Sequence, residues 1–252
     1  MAHGYRNLQQ WNQWLTQHFL GGYLIDEECQ AIAPLFNQHL GKHALLIGTP
    51  QQARYLAVSE IHCQTLLTPI STLQHQTKTI ESDLHELPIA SGSVDLVLLP
   101  HTLEFVDNPR QLLNEACRIV KPEGLLLIAG FNPTSSWGLR RRLHANKIKK
   151  VIPWAGNIIY PKQLREWLIL LDFVLEKQTR TLFTPPIAHA NLHEKLKPLE
   201  WVGRMVPGMG GAYLLLARAK VIPLTPIRLK WKQQISALPL NTIPGQIAHR
   251  NP

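Results

Sequence analysis

The sequence predicts an α/β fold built around a mostly parallel sheet. Two apolar runs of strand length, residues 94–99 (VDLVLL) and 125–129 (LLLIA), are typical of parallel strands that are covered on both faces. Between them, residues 112–120 place apolar side chains at helical spacing. A strand, a helix and a second strand in this order form a right-handed crossover, so both strands are expected to lie in one sheet.

The ends of this central helix carry clear signals. Asn108 or Asp107 is expected to cap its N-terminus, because either side chain can accept a hydrogen bond from a free backbone N–H. Pro109 fits the first helical position, where no N–H donor is needed. Residues 121–124 (KPEG) are predicted to end the helix and turn the chain into the next strand.

The N-terminal residues 1–40 are interpreted as a helical cap, with helices over residues 5–40 that break at Gly21-Gly22. Two interpretations stay open: helices that cover an active site, or helices that simply pack against the sheet. One face of the first predicted helix carries Leu8, Trp11, Trp14, Leu15, His18 and Phe19.

The remaining elements follow from apolar runs and their boundaries. An insertion, residues 184–211, is expected to carry a helix around 192–206, and residues 221–252 hold five prolines and little periodicity, which predicts a basic, extended or disordered tail. The other predicted strands are residues 43–48, 61–70, 78–83, 172–175 and 212–219, with a helix at 161–171.

Composition favours a soluble globular protein. Hydrophobic residues make up 45% of the 252, and no apolar run reaches the length of a membrane span. The N-terminus lacks the basic and apolar regions of a signal peptide. Cys29, Cys63 and Cys117 show no metal-binding spacing and leave one cysteine unpaired in any disulfide scheme. We therefore expect a cytoplasmic protein without a membrane span.

Charge is distributed unevenly along the chain. Residues 1–126 hold 7 Lys and Arg against 12 Asp and Glu, whereas residues 127–252 hold 19 against 5. The basic runs lie at residues 140–150 and 218–232. Such asymmetry favours an anionic partner such as RNA, contacted through Arg140 to Lys150, or else a solvated basic surface; composition does not separate these two interpretations.

Residues 81–141 carry a resemblance to a known family. Asp83 before Leu87-Pro88, the SGSVD turn at 91–95, His101 with Glu104, and the run LLNEACRIVKPEGLLLI together resemble a class I S-adenosylmethionine (SAM) dependent methyltransferase of the type 11 group. The run GFNPTSSWGLRR at 130–141 further resembles an uncharacterised bacterial branch of methyltransferase-like proteins. The resemblance implies a Rossmann-like, doubly wound, mostly parallel seven-stranded sheet over residues 41–220.

The same resemblance implies a cofactor site. Asp83 would accept the hydrogen bond of the adenine amino group, and the backbone N–H of Leu84 would meet the adenine ring. Gly48 would approach the methionine end of the cofactor, with Pro100 and His101 nearby. His101 is interpreted as a base, a wall of the cofactor pocket or a loop anchor, and the last two are favoured.

Two departures from the family pattern accompany this site. The loop after the first predicted strand, GTPQQARYL, holds the single glycine Gly48 where the family has several, and Pro50 removes one N–H donor. The second predicted strand ends without an acidic residue for the ribose, because the nearest acid, Glu60, precedes it.

Residues after the fifth strand are expected to line the acceptor pocket. Asn132, Trp137, Arg140 and Arg141 are the candidates, with core packing and turn formation as the alternative interpretation. No general base is assigned. A metal site is not expected, since the pair His189 and His193 lacks a third ligand at a suitable spacing.

The function expected from these observations is SAM-dependent methyl transfer to an acceptor that the sequence does not identify, with a small molecule favoured. The alternative is a catalytically inactive methyltransferase-like binding or scaffold protein. A nucleic-acid-binding protein is a third hypothesis and rests on the basic second half alone.

Overall fold

A computed structural model describes residues 5–36, 41–71, 77–145, 156–186 and 210–221 of the chain. All of them belong to the compact unit Met1–Val221. The described strands are β1 (His43–Ile47), β2 (Cys63–Thr68), β3 (Lys78–Glu81), β4 (Val94–Pro100), β5 (Val120–Phe131), β6 (Phe173–Thr181) and β7 (Ala212–Ala219). The described helices are α1 (Arg6–Gln17), α2 (Phe19–Phe36), a 3₁₀ helix (Pro50–Val58), α3 (Thr102–Phe105), α4 (Pro109–Ile119), α5 (Ser136–Ala145) and α6 (Pro161–Leu170).

Within these residues one mixed sheet has the strand order β3-β2-β1-β4-β5-β7-β6. The first five strands of this order are parallel, and β7 runs antiparallel to both β5 and β6. The predicted fold class, a doubly wound and mostly parallel seven-stranded sheet, is confirmed.

Strand order creates a crevice at the centre of the sheet. From β1 the chain moves outward to β2 and β3, and from β4 it moves outward in the opposite direction to β5. Because β1 and β4 are neighbours, their carboxyl ends form the switch point at which open α/β sheets bind ligands. The residues that follow Ile47 and Pro100 therefore occupy the favoured place for a site.

Helix α4 is amphipathic, as predicted, and begins at Pro109 with the side chain of Asn108 accepting from the N–H of Gln111 at 3.2 Å. It buries Leu112, Leu113 and Ala116 against the sheet. Asn108, rather than Asp107, is thus the capping residue. Helix α5 is capped as well, since Ser135 Oγ accepts from the N–H of Gly138 at 3.2 Å.

Two expectations about boundaries were wrong. The break between the N-terminal helices lies at His18, whose backbone is extended, and Gly21 and Gly22 lie inside α2. Residues 121–124 do not separate α4 from its strand, because β5 already begins at Val120. The chain turns within β5 instead: Val94 of β4 pairs with Val120, the next paired residue Leu96 pairs with Leu125, and Glu123 between them is in the left-handed region at φ 65°.

Gly21 and Gly22 offer a matched test of the close approach between the backbones of α1 and α2. A Cβ at Gly21 would lie 2.6 Å from Leu15 Cα and 2.8 Å from the Trp14 carbonyl, whereas one at Gly22 would meet nothing within 4 Å. We expect Gly21→Ala to lower the free energy of unfolding by about 1–3 kcal/mol through overpacking. Gly22→Ala should raise it by up to about 1 kcal/mol through helix propensity. Urea denaturation measures both, and equal responses would contradict the close approach.

Two further predictions, the helix around residues 192–206 and the tail at 221–252 except for its first residue, lie outside the described residues. The division of the chain into a cap, a central domain with an insertion, and a tail stays a prediction. No helix in the described part of the chain is both long and apolar enough to cross a membrane.

Candidate functional site

A buried ionic cluster stands at the switch point of the sheet. His101, the residue after β4, has no exposed surface and a left-handed backbone with φ 56°. Its Nε2 lies 2.9 Å from Oε1 of Glu28 on α2, and its Nδ1 lies 2.9 Å from Oε2 of Glu104 on α3. Tyr55 donates its hydroxyl to Glu28 Oε2 at 2.7 Å. These four residues, Glu28, Tyr55, His101 and Glu104, are called the ionic cluster below.

The cluster holds His101 in its charged form. Burial acts to lower the pKa of His101, but the charge of Glu28 and the hydrogen bonds with Glu104 and Glu28 outweigh it and raise the pKa to about 10. Burial and the neighbouring Glu28 raise the pKa of Tyr55 well above its ordinary value. At neutral pH both ring nitrogens of His101 therefore donate, which suits an anchor between α2 and the β4 loop and does not suit a general base.

Glu104 completes this arrangement. Its Oε1 accepts a hydrogen bond from the N–H of Phe131 at 3.0 Å, at the end of β5. The same residue's carbonyl accepts from the N–H of Asn157 at 2.7 Å. Glu104 thus satisfies backbone donors and ties β5 to the His101 loop.

The loop after β1 is closed by a glutamine. Gln52 folds back over Gly48, and its Oε1 accepts from the N–H of Thr49 at 2.8 Å while its amide donates to the carbonyl of Pro100. A Cβ at Gly48 would overlap Gln52 Oε1 and lie 3.1 Å from Thr102 Oγ1. Gln52, Thr49 and Thr102 are all fully buried. The space beside Gly48 is thus filled by side chains of the chain itself.

Asp83 and Leu84 lie just beyond β3, and both bind the hydroxyl of Tyr5. Tyr5 donates to Asp83 Oδ1 at 2.6 Å and accepts from the N–H of Leu84 at 2.9 Å. His85 adds its N–H at 2.7 Å and its Nδ1 at 2.6 Å to the same carboxylate oxygen. The hydrogen bond from Tyr5, followed by that from the His85 N–H, lowers the pKa of Asp83 to about 2.

Aromatic rings link α1 to the strand ends. Trp11 stacks on Phe105 with ring centroids 4.7 Å apart, and its ring centroid lies 5.5 Å from that of His101. Phe131 lies 4.3 Å from His101 and stacks on Trp137 at 5.7 Å. Helix α1 therefore covers the carboxyl ends of β4 and β5 with a continuous apolar layer.

The residues expected to line an acceptor pocket are engaged in local structure. Asn132 Oδ1 accepts from the N–H of Thr134 at 3.2 Å, and its Nδ2 donates to the Gly210 carbonyl at 2.9 Å. Trp137 is buried and donates to the carbonyl of Thr184 at 3.0 Å. Arg140 donates to the carbonyl of Pro186. Arg141 lies in α5, but its side chain is outside the described part of the structure.

In this arrangement the site does not fit a whole SAM molecule. Asp83 and Leu84, which the resemblance assigns to adenine, are engaged by Tyr5, and the space beside Gly48, which it assigns to the methionine end, is filled by Gln52. Thr68, at the end of β2, stands fully buried where the family places a ribose-binding acid. Asp83 and Leu84 do present an acceptor beside a donor, the pair of groups that an adenine edge requires.

The fold brings Gly48, Pro100 and His101 together at the switch point, whereas Asp83 and Leu84 follow β3, which β2 separates from β1. Sequence reasoning missed Tyr5, Glu28, Gln52 and Tyr55. Only Glu28 carried a readable signal: it lies on the apolar face of α2 between Leu24 and Ile32, where an unpaired carboxylate would be costly.

No group of three or more His, Cys, Asp or Glu side chains in the described ranges could hold a metal ion. His189 and His193 lie outside those ranges. The three cysteines are free thiols, and burial raises the pKa of Cys29 and of Cys117 to about 12.

Comparison with known proteins gives consistent matches. A family described as "Methyltransferase domain" matches residues 47–128. The uncharacterized protein YafS of Escherichia coli K12 is 30% identical over 195 residues, covering 76% of this chain and 74% of YafS. Demethylmenaquinone methyltransferase of Chlamydia pneumoniae is 23% identical over 149 residues, covering 59% of this chain and 62% of that protein. A SAM-dependent methyltransferase structure from Thermotoga maritima superimposes with a TM-score of 0.60 at 19% identity, covering 84% of this chain and 99% of that one.

Proposed function

Because the chain belongs to the methyltransferase domain family, we propose that it is a SAM-dependent methyltransferase that recognises adenine through Asp83 and Leu84. The observation that carries this proposal is the hydrogen-bonding pair itself. A carboxylate acceptor stands beside a backbone N–H donor, and both meet one atom, the Tyr5 hydroxyl, at 2.6 and 2.9 Å. Adenine presents the complementary pair, an amino donor next to a ring-nitrogen acceptor.

When bound, SAM would supply the methyl group that it carries on its sulfonium. This chain's own residues would contribute recognition and shielding: Asp83 would accept from the adenine amino group, Leu84 would donate to the ring, and Trp11 and Phe131 would keep water from the strand ends. The methionine end would require Gln52 to leave its place over Gly48.

A small-molecule acceptor is proposed for the transferred methyl group. One relative that supports this proposal is named demethylmenaquinone methyltransferase. Phe131 and Trp137 are buried and stacked on each other, so an acceptor would reach their ring faces only after the residues that cover them move. Contact with RNA through Arg140 to Lys150 stays a prediction from charge alone, as does a cytoplasmic location.

A second candidate function is favoured by the filled site. If the ionic cluster and Gln52 permanently replace the methionine end, the chain is a binding or scaffold protein on a methyltransferase fold. The four members of the cluster are fully or nearly fully buried and satisfy one another, which is what a structural core requires.

The adenine assignment is tested by calorimetric titration with SAM and with S-adenosylhomocysteine. The parent protein and the Asp83→Ala protein both carry Tyr5→Phe. The Tyr5 hydroxyl binds Asp83 in the wild type and would otherwise mask the loss of the contact between Asp83 and adenine. In that background we expect Asp83→Ala to weaken nucleoside binding by about 1–3 kcal/mol, the cost of leaving a polar partner unsatisfied.

Glu166→Ala in the same background is the control, because Glu166 is an exposed carboxylate on α6. The control should bind as the parent does. An affinity that Asp83→Ala leaves unchanged would contradict the adenine assignment.

A further inference from the structure

We propose that the N-terminal segment, Tyr5 with helix α1 (Arg6–Gln17), is a built-in competitor for the adenine position, so that the described conformation is self-inhibited. This inference rests on the proposed function, because it takes Asp83 and Leu84 as the adenine partners. It goes further by assigning the closed state to one hydroxyl group. Binding of the nucleoside then requires Tyr5 to leave.

The competition follows from the chemistry of a hydroxyl. One Tyr oxygen can donate one hydrogen bond and accept another, so it satisfies a carboxylate and an N–H together, as an adenine edge does. Tyr5 does both, at 2.6 Å to Asp83 Oδ1 and 2.9 Å from the Leu84 N–H. Tyr5 is 7% exposed and Leu84 is 2% exposed, so an adenine edge cannot pair with the Leu84 N–H while the Tyr5 hydroxyl occupies it.

Helix α1 is held in place by buried apolar contacts and a hydrogen bond, but it also buries one unsatisfied donor. Leu8, Trp11 and Leu15 are buried on its inner face, and Gln51 donates its N–H to Asn12 Oδ1 at 3.0 Å. However, Trp11 Nε1 is buried without a hydrogen-bond partner among the described residues. An unsatisfied buried donor lowers the stability of the closed seat, and an entering polar ligand group that could accept from it would favour opening.

Tyr5 lies at the N-terminal end of α1, where detachment of its side chain from Asp83 and Leu84 disturbs the helix least. Tyr5 precedes the first turn of α1, and its partner Asp83 keeps 52% of its side chain exposed. Helix ends open locally at low free energy, so Tyr5 can detach while the centre of α1 stays packed. The apparent affinity for the nucleoside is then reduced by the fraction of molecules in which Tyr5 is bound.

The test is a Tyr5→Phe variant titrated calorimetrically with S-adenosylhomocysteine. Phenylalanine keeps the ring and its packing but removes the hydroxyl contacts with Asp83, the Leu84 N–H and His85 Nδ1, so the open state becomes more populated. We expect the nucleoside to bind on the order of tenfold more tightly than to the wild type.

The matched control is Tyr23→Phe, which removes a hydroxyl from α2 that contacts Thr184 Oγ1 at 3.2 Å. It should leave nucleoside affinity unchanged. A second readout is hydrogen exchange: adding S-adenosylhomocysteine to the wild type should speed exchange in the first turn of α1 and slow it in the backbone around Leu84.

The outcomes separate the two proposals. If Tyr5→Phe, Tyr23→Phe and the wild type bind the nucleoside equally, the self-inhibition is overturned and the proposed function stands. If none of the three binds SAM or S-adenosylhomocysteine at millimolar concentration, the proposed function itself is overturned, and the scaffold alternative takes its place.

Discussion

Replacing His101 with asparagine is expected to lower the free energy of unfolding by about 3–5 kcal/mol, the cost of breaking a buried ion pair on one side. His101 is the cation between two buried carboxylates, with 2.9 Å to Glu28 and 2.9 Å to Glu104. Asparagine tolerates the left-handed backbone of this position, so the loss reports on charge rather than on strain. Urea denaturation followed by circular dichroism measures it.

The control for this change is His85→Asn. His85 also pairs with a carboxylate, Asp83, but 49% of its side chain is exposed. Exposed ion pairs contribute at most about 1 kcal/mol, so the control should stay close to the wild type. Adding Glu28→Gln to His101→Asn should recover part of the loss, because one buried carboxylate is then neutral. A loss below about 1 kcal/mol for His101→Asn would contradict the role of the ionic cluster.

The second large effect is a loss of stability as pH rises above neutrality. The folded-state pKa of His101 is raised to about 10 from its ordinary 6.5, so the protonated ring is the form that the fold stabilises. This contribution is complete below pH 6.5 and declines as pH rises towards 10. Between these values the native state holds one more proton than the unfolded state, and stability falls by up to about 1.4 kcal/mol per pH unit.

We expect the free energy of unfolding to drop by about 2–3 kcal/mol between pH 6.5 and 8.5. The comparison ends at pH 8.5 because the folded-state pKa of Cys29, Cys117 and Tyr5 is raised to about 12. At higher pH these groups lose their protons in the unfolded protein before they do so in the folded one, which also lowers the free energy of unfolding. The His101→Asn protein should lack the slope within this window. A wild type whose stability is flat from pH 6.5 to 8.5 would contradict the charged state of His101.

Local patterns in the chain predicted the frame of the molecule well. The apolar run at Ala212–Ala219 is a strand over the same residues that the sequence indicates, and Pro109 begins α4 behind its Asn108 cap. These predictions succeed because burial on both faces and helix capping depend on neighbours in sequence. The predicted break at Gly21-Gly22 failed because the close approach of α1 to Gly21 outweighs the helix propensity of glycine.

The side chains that fill the candidate site could not be predicted from the sequence. The resemblance implied that Asp83, Leu84, Gly48 and His101 would share one cofactor site, and each lies at or just beyond the end of a predicted strand. It also indicated that the loop after β1 departs from the family pattern. Neither observation could say what fills the space, because a single glycine is compatible with an open or an occupied loop.

By itself, then, the sequence determined the α/β sheet, the family and the strand ends at which the candidate site lies. Only the tertiary structure decided that Glu28 meets His101 across 73 positions in sequence and that Tyr5 meets Asp83 across 78. No local pattern encodes such contacts, because they depend on where α1 and α2 pack once the sheet has formed. The physical reason is that a buried charge and a bifunctional hydroxyl take whichever complementary groups the packed fold brings within hydrogen-bonding distance.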